Sequence, residues 1–376
     1  MRAIQMVDLK SQYHKIKKEV DKAVLDVLES SAFINGKPVQ DFATGLSVYL
    51  NTKHVIPCAN GTDALQIALM ALGLQPGDEV ITASFTFIAT AEVIALLHLK
   101  PVFVDVDRDT FCMDVASLRK AITPNTKAIV PVHLYGHVAN MEEIMAIANE
   151  HDIPVVEDTA QAIGADFIFS DGTKKKAGTI GTFGATSFFP SKNLGCYGDG
   201  GALFTNDDTL AEKAKMIAAH GAAKRYYHDM VGINSRLDTI QAAVLNIKLP
   251  HLDSYIEERT RAANFYDNAF AGNKHIKTPY RAKYSKHVFH QYTIQLEEVD
   301  RDGLQQWLQS KGVPSMLYYP VPAHAQKMFS DYGTADADLP NTNWLTSRVL
   351  SLPMHTELDE EQLDFITSSV LEYLNQ

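Results

Sequence analysis

Between residues 52 and 205, short apolar runs rich in β-branched residues recur: HVIPCA, DEVITA, KPVFVDVD, TKAIVPVHL, IPVVEDTA, GATSFF and GGALFT. Helix-like stretches separate the first five, over Asp63–Leu72, Thr86–Leu99, Val115–Ala121 and Met141–His151. Strands that alternate with helices build a mainly parallel sheet covered on both faces. Ligands of such α/β sheets bind at the carboxyl ends of the strands.

After Asn206 the texture becomes helical. DTLAEKAKMIAAHG and SRLDTIQAAVLNIKL carry apolar residues at helical spacing, and Pro250 marks a break. The expected division is a large domain over 1–250 and a smaller α+β domain over 251–376. The smaller one holds a strand at HVFHQYTIQL, a helix at RDGLQQWLQSKG closed by Gly312, a strand at SMLYYP and a last helix over Asp359–Leu374. The net charge of −11 argues against broad nucleic-acid binding, so an anionic substrate would need a local basic patch. No window approaches eighteen consecutive apolar residues, and the N-terminus lacks the apolar run of a signal peptide. Three dispersed cysteines, Cys58, Cys112 and Cys196, fit a reduced cytoplasm better than a disulfide framework or a zinc-thiolate site.

Four features fall at strand ends or helix starts. Asn60-Gly61-Thr62 opens a helix, and its backbone N–H groups with a threonine hydroxyl make an anion site; helix capping by Asn60 or Thr62 accounts for the same residues. Phe85 and Phe87 sit where a strand turns into a helix, able to stack on a flat ring or to pack in the core. Asp158 ends a wholly apolar strand, and pleat alternation sends it and Glu157 to opposite faces. It either caps the next helix or holds a proton on a pyridine nitrogen. Lys192, in SFFPSKNLGCYGDGG, has no neighbouring charge closer than Asp199. Partial burial lowers a lysine's pKa and makes a Schiff base feasible. Phosphate cradle, aromatic, acid and amine, in that order on such a sheet, are what pyridoxal phosphate requires.

The segments NGTDAL, PVVEDTAQAIGA, SFFPSKNLGCYGDGGA and GINSRLDTIQAA resemble the DegT/DnrJ/EryC1/StrS sugar aminotransferases, and the likeness runs from VDLKSQY to the final helix. The resemblance implies a fold-type-I pyridoxal-phosphate transferase, with a mainly parallel seven-stranded sheet between helices and a smaller α+β domain. It implies that Lys192 binds the cofactor and shuttles protons, that Asp158 pairs with the pyridine nitrogen, that Gln161 contacts the ring's 3-hydroxyl and that Phe87 stacks on the ring. It assigns the phosphate to Gly61, Thr62, Asp63 and Ser187, with Asn234 reaching in from a second subunit of a homodimer. A related dehydratase branch has histidine in place of the lysine, so Lys192 favours transamination.

The implied reaction moves the amino group of L-glutamate to a nucleotide-linked keto sugar. The nearest branch aminates C3 of UDP-2-acetamido-2-deoxy-3-oxo-glucuronate for surface polysaccharide. That branch often has His-Tyr-Pro near the substrate, whereas LYYPVP puts Tyr318 at the histidine position. Amination of a dTDP- or UDP-linked 3- or 4-keto-6-deoxyhexose, a pyridoxal-phosphate dehydratase or lyase, and a non-catalytic regulatory homologue are the competing readings. The segment HGAAKRYYHDMVGINSRL offers Lys224, Arg225, Tyr226 and His228 to the nucleotide, unless it is a solvated loop; Arg236 could serve an ion pair. His133 and His137 in HLYGH lack the glutamate of the zinc motif and read as a strand end near the cofactor, with no metal expected. GCYGDGG lets backbone pass close to the cofactor, DGTKKKAG reads as a solvated turn, and Trp307 and Trp344 as core.

Overall fold

The computed structural model describes residues 2–334 and 337–375. The seven apolar runs become β1 (His54–Cys58), β2 (Glu79–Ala83), β3 (Lys100–Val104), β4 (Thr126–Val130), β5 (Val156–Asp158), β6 (Phe183–Ser187) and β7 (Gly201–Thr205). Hydrogen bonds order β1-β7-β6-β5 in one block and β3-β2-β4 in another, and parallel bridges Ile129–Val155 and Val132–Asp158 join β4 to β5. The result is one seven-stranded sheet, β1-β7-β6-β5-β4-β2-β3, in which β7 runs antiparallel to both neighbours and the rest are parallel. Every residue of β2 is buried, as a strand covered on both faces must be.

Two helices precede the sheet, α1 (Leu9–Ser30) and α2 (Lys37–Leu50). The crossovers are α3 (Gly61–Leu72), α4 (Ala89–Leu96), α5 (Val115–Ala121) and α6 (Met141–Glu150). The α3 boundaries are local chemistry: Asn60 Oδ1 accepts the Asp63 N–H at 2.8 Å, and Gly73 ends the helix at φ 77°. The start of α4 is not local. A helix was expected from Thr86, yet Ser84 is held by a distant segment: Ala323 N–H donates to its carbonyl at 2.9 Å, and its hydroxyl meets His324 Nδ1 at 2.6 Å. The chain turns through Phe85–Ile88 before the helix begins.

After β7 come α7 (Asp208–Ala218), α8 (Thr239–Lys248) and α9 (Leu252–Phe270). A 3-10 turn over Leu249–His251 joins α8 to α9 near the expected division. Helix α9 packs into two cores. Leu252 and Ile256 enter the one on the sheet, and Ala262, Ala263, Tyr266 and Phe270 enter a C-terminal one. Burying large apolar side chains contributes about 2 kcal/mol each, so this one helix ties the two cores together. The C-terminal core also takes in Ile4 from the N-terminal segment.

Two expectations are corrected. SMLYYP is not a strand: it makes a single bridge, Met316 to Ser351, and Val349–Leu352 pairs with Tyr292–Leu296 instead. DGTKKKAG is a turn followed by a short strand, since Lys174–Lys176 pairs with Asp166–Ile168, and Lys176 Nζ lies 2.8 Å from Asp166. Among the described residues no helix is long and apolar enough to cross a membrane.

Candidate active site

The site forms at the carboxyl end of β5. Alternation there separates two carboxylates. Glu157 turns to the back of the sheet, fully buried. Its Oε1 accepts the N–H groups of Ile180 and Gly181, both at 2.6 Å, and its Oε2 accepts that of Gly178 at 2.9 Å. His133 Nε2 lies 2.9 Å from the same Oε2. The Ala139 N–H points at His133 Nδ1, at 3.1 Å, so the imidazole proton sits on Nε2 and faces Glu157. The His133 side chain therefore belongs to this buried pair, opposite the face of Asp158, while the stretch that carries it borders the site through the Tyr135 N–H on Gln161. His137 is buried against Cys112, and burial pushes its pKa down to about 4.

Asp158 turns the other way and is 5% exposed. Its Oδ1 accepts the Ala160 N–H at 3.0 Å and its Oδ2 the Thr90 hydroxyl at 2.8 Å. Lys192 lies on the loop from β6 to β7. Its N–H donates to Phe189 C=O at 2.8 Å, and the Cys196 N–H donates to Phe188 C=O at 2.8 Å. Gly195 passes so close to Pro190 that a Cβ would stand 2.3 Å from its carbonyl oxygen. The buried Lys248 donates to Gly195 C=O at 2.8 Å, and Asn193 Nδ2 to Val288 C=O at 2.9 Å. In this pinned loop burial pulls the Lys192 amine from 10.5 down to about 8, while the negative charge of Asp158 pulls part of the way back. His290, buried nearby, is held far below the ordinary imidazole range by burial first, then by the charges of Lys192 and Arg259.

Gln161 borders the same space. Its Oε1 accepts the Tyr135 N–H at 2.7 Å and its Nε2 donates to the Tyr319 hydroxyl at 3.0 Å. Phe87 is 51% exposed, its ring centroid 6.1 Å from that of Tyr319. Phe85 is buried against Phe111, Tyr135 and Tyr319, so the two phenylalanines divide into a core residue and an open one. Of the tyrosine pair, Tyr319 is the one that meets Gln161 and Phe87. Tyr318 enters through its carbonyl, which accepts the Tyr135 hydroxyl. Thr90 and Tyr319 were both missed by sequence reasoning. No period pointed to either, since Phe87 precedes α4 and Tyr319 lies in an irregular segment.

The start of α3 closes the other end. The Asp63 N–H is committed to the Asn60 cap, whereas among the described residues no hydrogen bond engages the N–H of Gly61 or Thr62. These are orphan donors of a helix N-terminus. A Cβ on Gly61 would lie 2.7 Å from Ser187 Cβ, and one on Gly201 would lie 2.3 Å from Asn60 C=O. The Ser187 hydroxyl oxygen accepts the Phe189 N–H at 3.2 Å, which leaves its proton free. Donors for an anion, an open aromatic face, a carboxylate and an amine of lowered pKa thus gather at the carboxyl ends of β1, β2, β5 and β6, and this donor set fits pyridoxal phosphate.

The remaining predicted residues lie apart. Lys224, Arg225, Tyr226 and His228 form an exposed hairpin, Ala222–Lys224 with Tyr227–His228. Lys224 lies over the Tyr227 ring, Arg225 over Tyr226, and His228 Nδ1 is 2.8 Å from His220 C=O. Among the described residues no hydrogen bond or ring contact joins this hairpin to Lys192 or Asp158. Asn234 is exposed and lines a surface depression with Ala59, Asp199, Arg236 and Gln241. Its neighbour Ser235 accepts the Ala59 N–H at 3.0 Å, next to the start of α3.

Sheet order and donor set together define a fold-type-I pyridoxal-phosphate transferase. A model of the DegT/DnrJ/EryC1/StrS aminotransferase family matches residues 14–371, and the chain belongs to that family of sugar aminotransferases. A Geobacillus stearothermophilus protein called pleiotropic regulatory protein is 46% identical over 372 residues, 98% of each chain. The UDP-2-acetamido-2-deoxy-3-oxo-D-glucuronate aminotransferase of Pseudomonas aeruginosa is 44% identical over 367 residues, 98% of this chain and 99% of that one. Among solved structures, NtdA of Bacillus subtilis with bound cofactor PMP superposes with a TM-score of 0.90 at 30% identity, covering 99% of this chain and 83% of that one.

Proposed function

We propose that this enzyme transfers the amino group of L-glutamate to the 3-keto group of a UDP-linked 2-acetamido-2-deoxy-3-oxo-glucuronate, for surface polysaccharide. The observation that carries the chemistry is Lys192, held in the pinned loop after β6 and within the field of Asp158 at the end of β5, where burial lowers its pKa to about 8. The sugar rests on 44% identity, across nearly the whole of both chains, to the Pseudomonas aeruginosa enzyme.

When bound, pyridoxal phosphate supplies an aldehyde that carries the amino group and a ring that absorbs electrons. Lys192 holds the aldehyde end, and afterwards its free amine moves a proton to and from the donor's α-carbon. That task suits an amine whose pKa lies near the working pH. Asp158 accepts the hydrogen of the ring nitrogen and keeps the ring cationic. Phe87 covers one ring face and Gln161 contacts the 3-hydroxyl. Gly61, Thr62 and Ser187 receive the phosphate, the Gly61 and Thr62 amides doing so with the dipole of α3 behind them; Asp63 does not share this role, because its N–H is committed to Asn60 and its side chain is an anion. Lys224, Arg225, Tyr226, His228 and Tyr318 read the nucleotide sugar.

In this reading two copies share their sites, Asn234 of each reaching the other's phosphate. Its support is the exposure of Asn234 and of Leu25, Leu28, Phe33, Ile34 and Val231, apolar side chains left open on one chain. A second reading, a regulatory protein without catalysis, is favoured by the name of the 46%-identical relative. The test is incubation of the cofactor-loaded protein with glutamate and the oxo-sugar. Equal yields of 3-amino sugar and 2-oxoglutarate support the proposal. A visible cofactor band with no amine transfer to any 3- or 4-keto nucleotide sugar would favour the regulatory reading.

A further inference from the structure

We propose that Thr90 is a positioning residue: its hydroxyl orients the Asp158 carboxylate toward the cofactor's ring nitrogen and ties it to the segment that carries Phe87. The inference rests on the reading of Asp158 as the ring-nitrogen partner.

Thr90 is 1% exposed, in the first turn of α4. A threonine hydroxyl has one proton to give. Two acceptors stand near it, Asp158 Oδ2 at 2.8 Å and Phe87 C=O at 3.4 Å. The nearer and charged one takes the proton. The Ala160 N–H holds the other carboxylate oxygen at 3.0 Å. With one protein donor on each oxygen, the carboxylate cannot rotate about its Cβ–Cγ bond without breaking a hydrogen bond. Its remaining lone pairs are left for the cleft that Lys192 faces. The contact also spans the sheet, since α4 leaves β2, Asp158 ends β5, and β4 lies between them. Thr90 thus couples the group over the ring face, Phe87, to the group at the ring edge, Asp158. A carboxylate that loses this donor is free to turn on its Cβ–Cγ bond, and its hold on a proton at the ring nitrogen would weaken.

The test compares Thr90→Val, which keeps the volume and loses the hydroxyl, with Thr90→Ser, which does the reverse. Two readouts are taken on protein loaded with ¹⁵N-labelled pyridoxal phosphate: the cofactor dissociation constant and the ring-nitrogen chemical shift. Loss of one hydrogen bond to a charged group predicts binding weakened about tenfold in Thr90→Val, and Thr90→Ser within about twofold of the parent. The ring-nitrogen resonance should move toward its unprotonated position in the valine variant alone. A valine variant that matches the parent in both readouts overturns the inference, as does a serine variant impaired while valine is not, the pattern of a packing role. Should Thr90→Val fail to fold, Thr90→Ala against Thr90→Ser differs in the hydroxyl alone and is judged the same way. Asp158→Asn separates the two levels: if it leaves the resonance unmoved, the reading of Asp158 falls, and this inference with it.

Discussion

The Lys192 amine, pulled from 10.5 to about 8 by burial against the opposing pull of Asp158, sets a measurable number for the cofactor-free protein. At pH 8 about half of these amines are neutral, against roughly 0.3% for an exposed lysine, a gain of about a hundredfold in the nucleophilic form. Trace labelling with acetic anhydride between pH 6 and 11 reads it, when the Lys192 peptide is quantified by mass spectrometry against N-acetyl-lysine amide in the same tube. Limited access lowers the plateau but leaves the midpoint in place. The midpoint should fall near 8 in the parent. In Asp158→Asn it should fall lower, because the one charge that favours the ammonium form is gone. A parent midpoint near 10 would refute the burial argument, and a midpoint that rises in Asp158→Asn would refute the pairing.

Lys248, which is 1% exposed, is a second amine pushed down to about 8 by burial, and it is set over the Tyr197 ring. Both lysines lose protons near pH 8 when folded and near 10.5 when unfolded, so between those values the unfolded chain holds more protons and stability rises with pH. Urea midpoints at pH 7.5 and 9.5 should show that rise in cofactor-free protein, and Lys248→Met should reduce it. Glu157→Gln turns a carboxylate that accepts three N–H groups into an amide that cannot, and unfolding by urea should become easier by about 3 kcal/mol, with the Lys192 labelling midpoint unchanged. Tyr319→Phe strips the Gln161 amide of its acceptor and should weaken cofactor binding about fivefold, while Tyr318→Phe should do so less. Equal effects in an absorbance titration would contradict the assignment of Tyr319 to the cofactor side.

Lys192, Asp158 and Gly61 could be singled out from the chain because each follows an element whose end is marked, whereas Gln161 came only from the family resemblance. Asp158 closes an apolar strand, Gly61 follows a capping asparagine, and Lys192 stands alone between a strand and a glycine-dense loop. Gly61 also had a checkable consequence, since its missing Cβ is what lets α3 approach Ser187. The face that the His133 side chain takes was not legible, because a position at the end of a strand says nothing of which face follows once the backbone turns. The hairpin at Lys224–His228 has residues suited to a nucleotide, yet on one chain its cations rest on its own tyrosines.

What the amino-acid order determined alone is the part governed by neighbours a few positions away. That part comprises the seven strands, the crossover helices after β1, β3 and β4, the caps at Asn60 and Gly73, and the opposite faces of Glu157 and Asp158. Period, cap chemistry and pleat act within one or two turns of chain. Only the tertiary structure decided that α4 begins at Ala89, that Thr90 reaches Asp158, and that Tyr319 meets Gln161 while Tyr318 offers its carbonyl to Tyr135. In irregular segments no period selects a face. The direction of a side chain there follows from hydrogen bonds to residues far away in sequence, such as Ala323 to Ser84, and these exist only once the sheet has assembled.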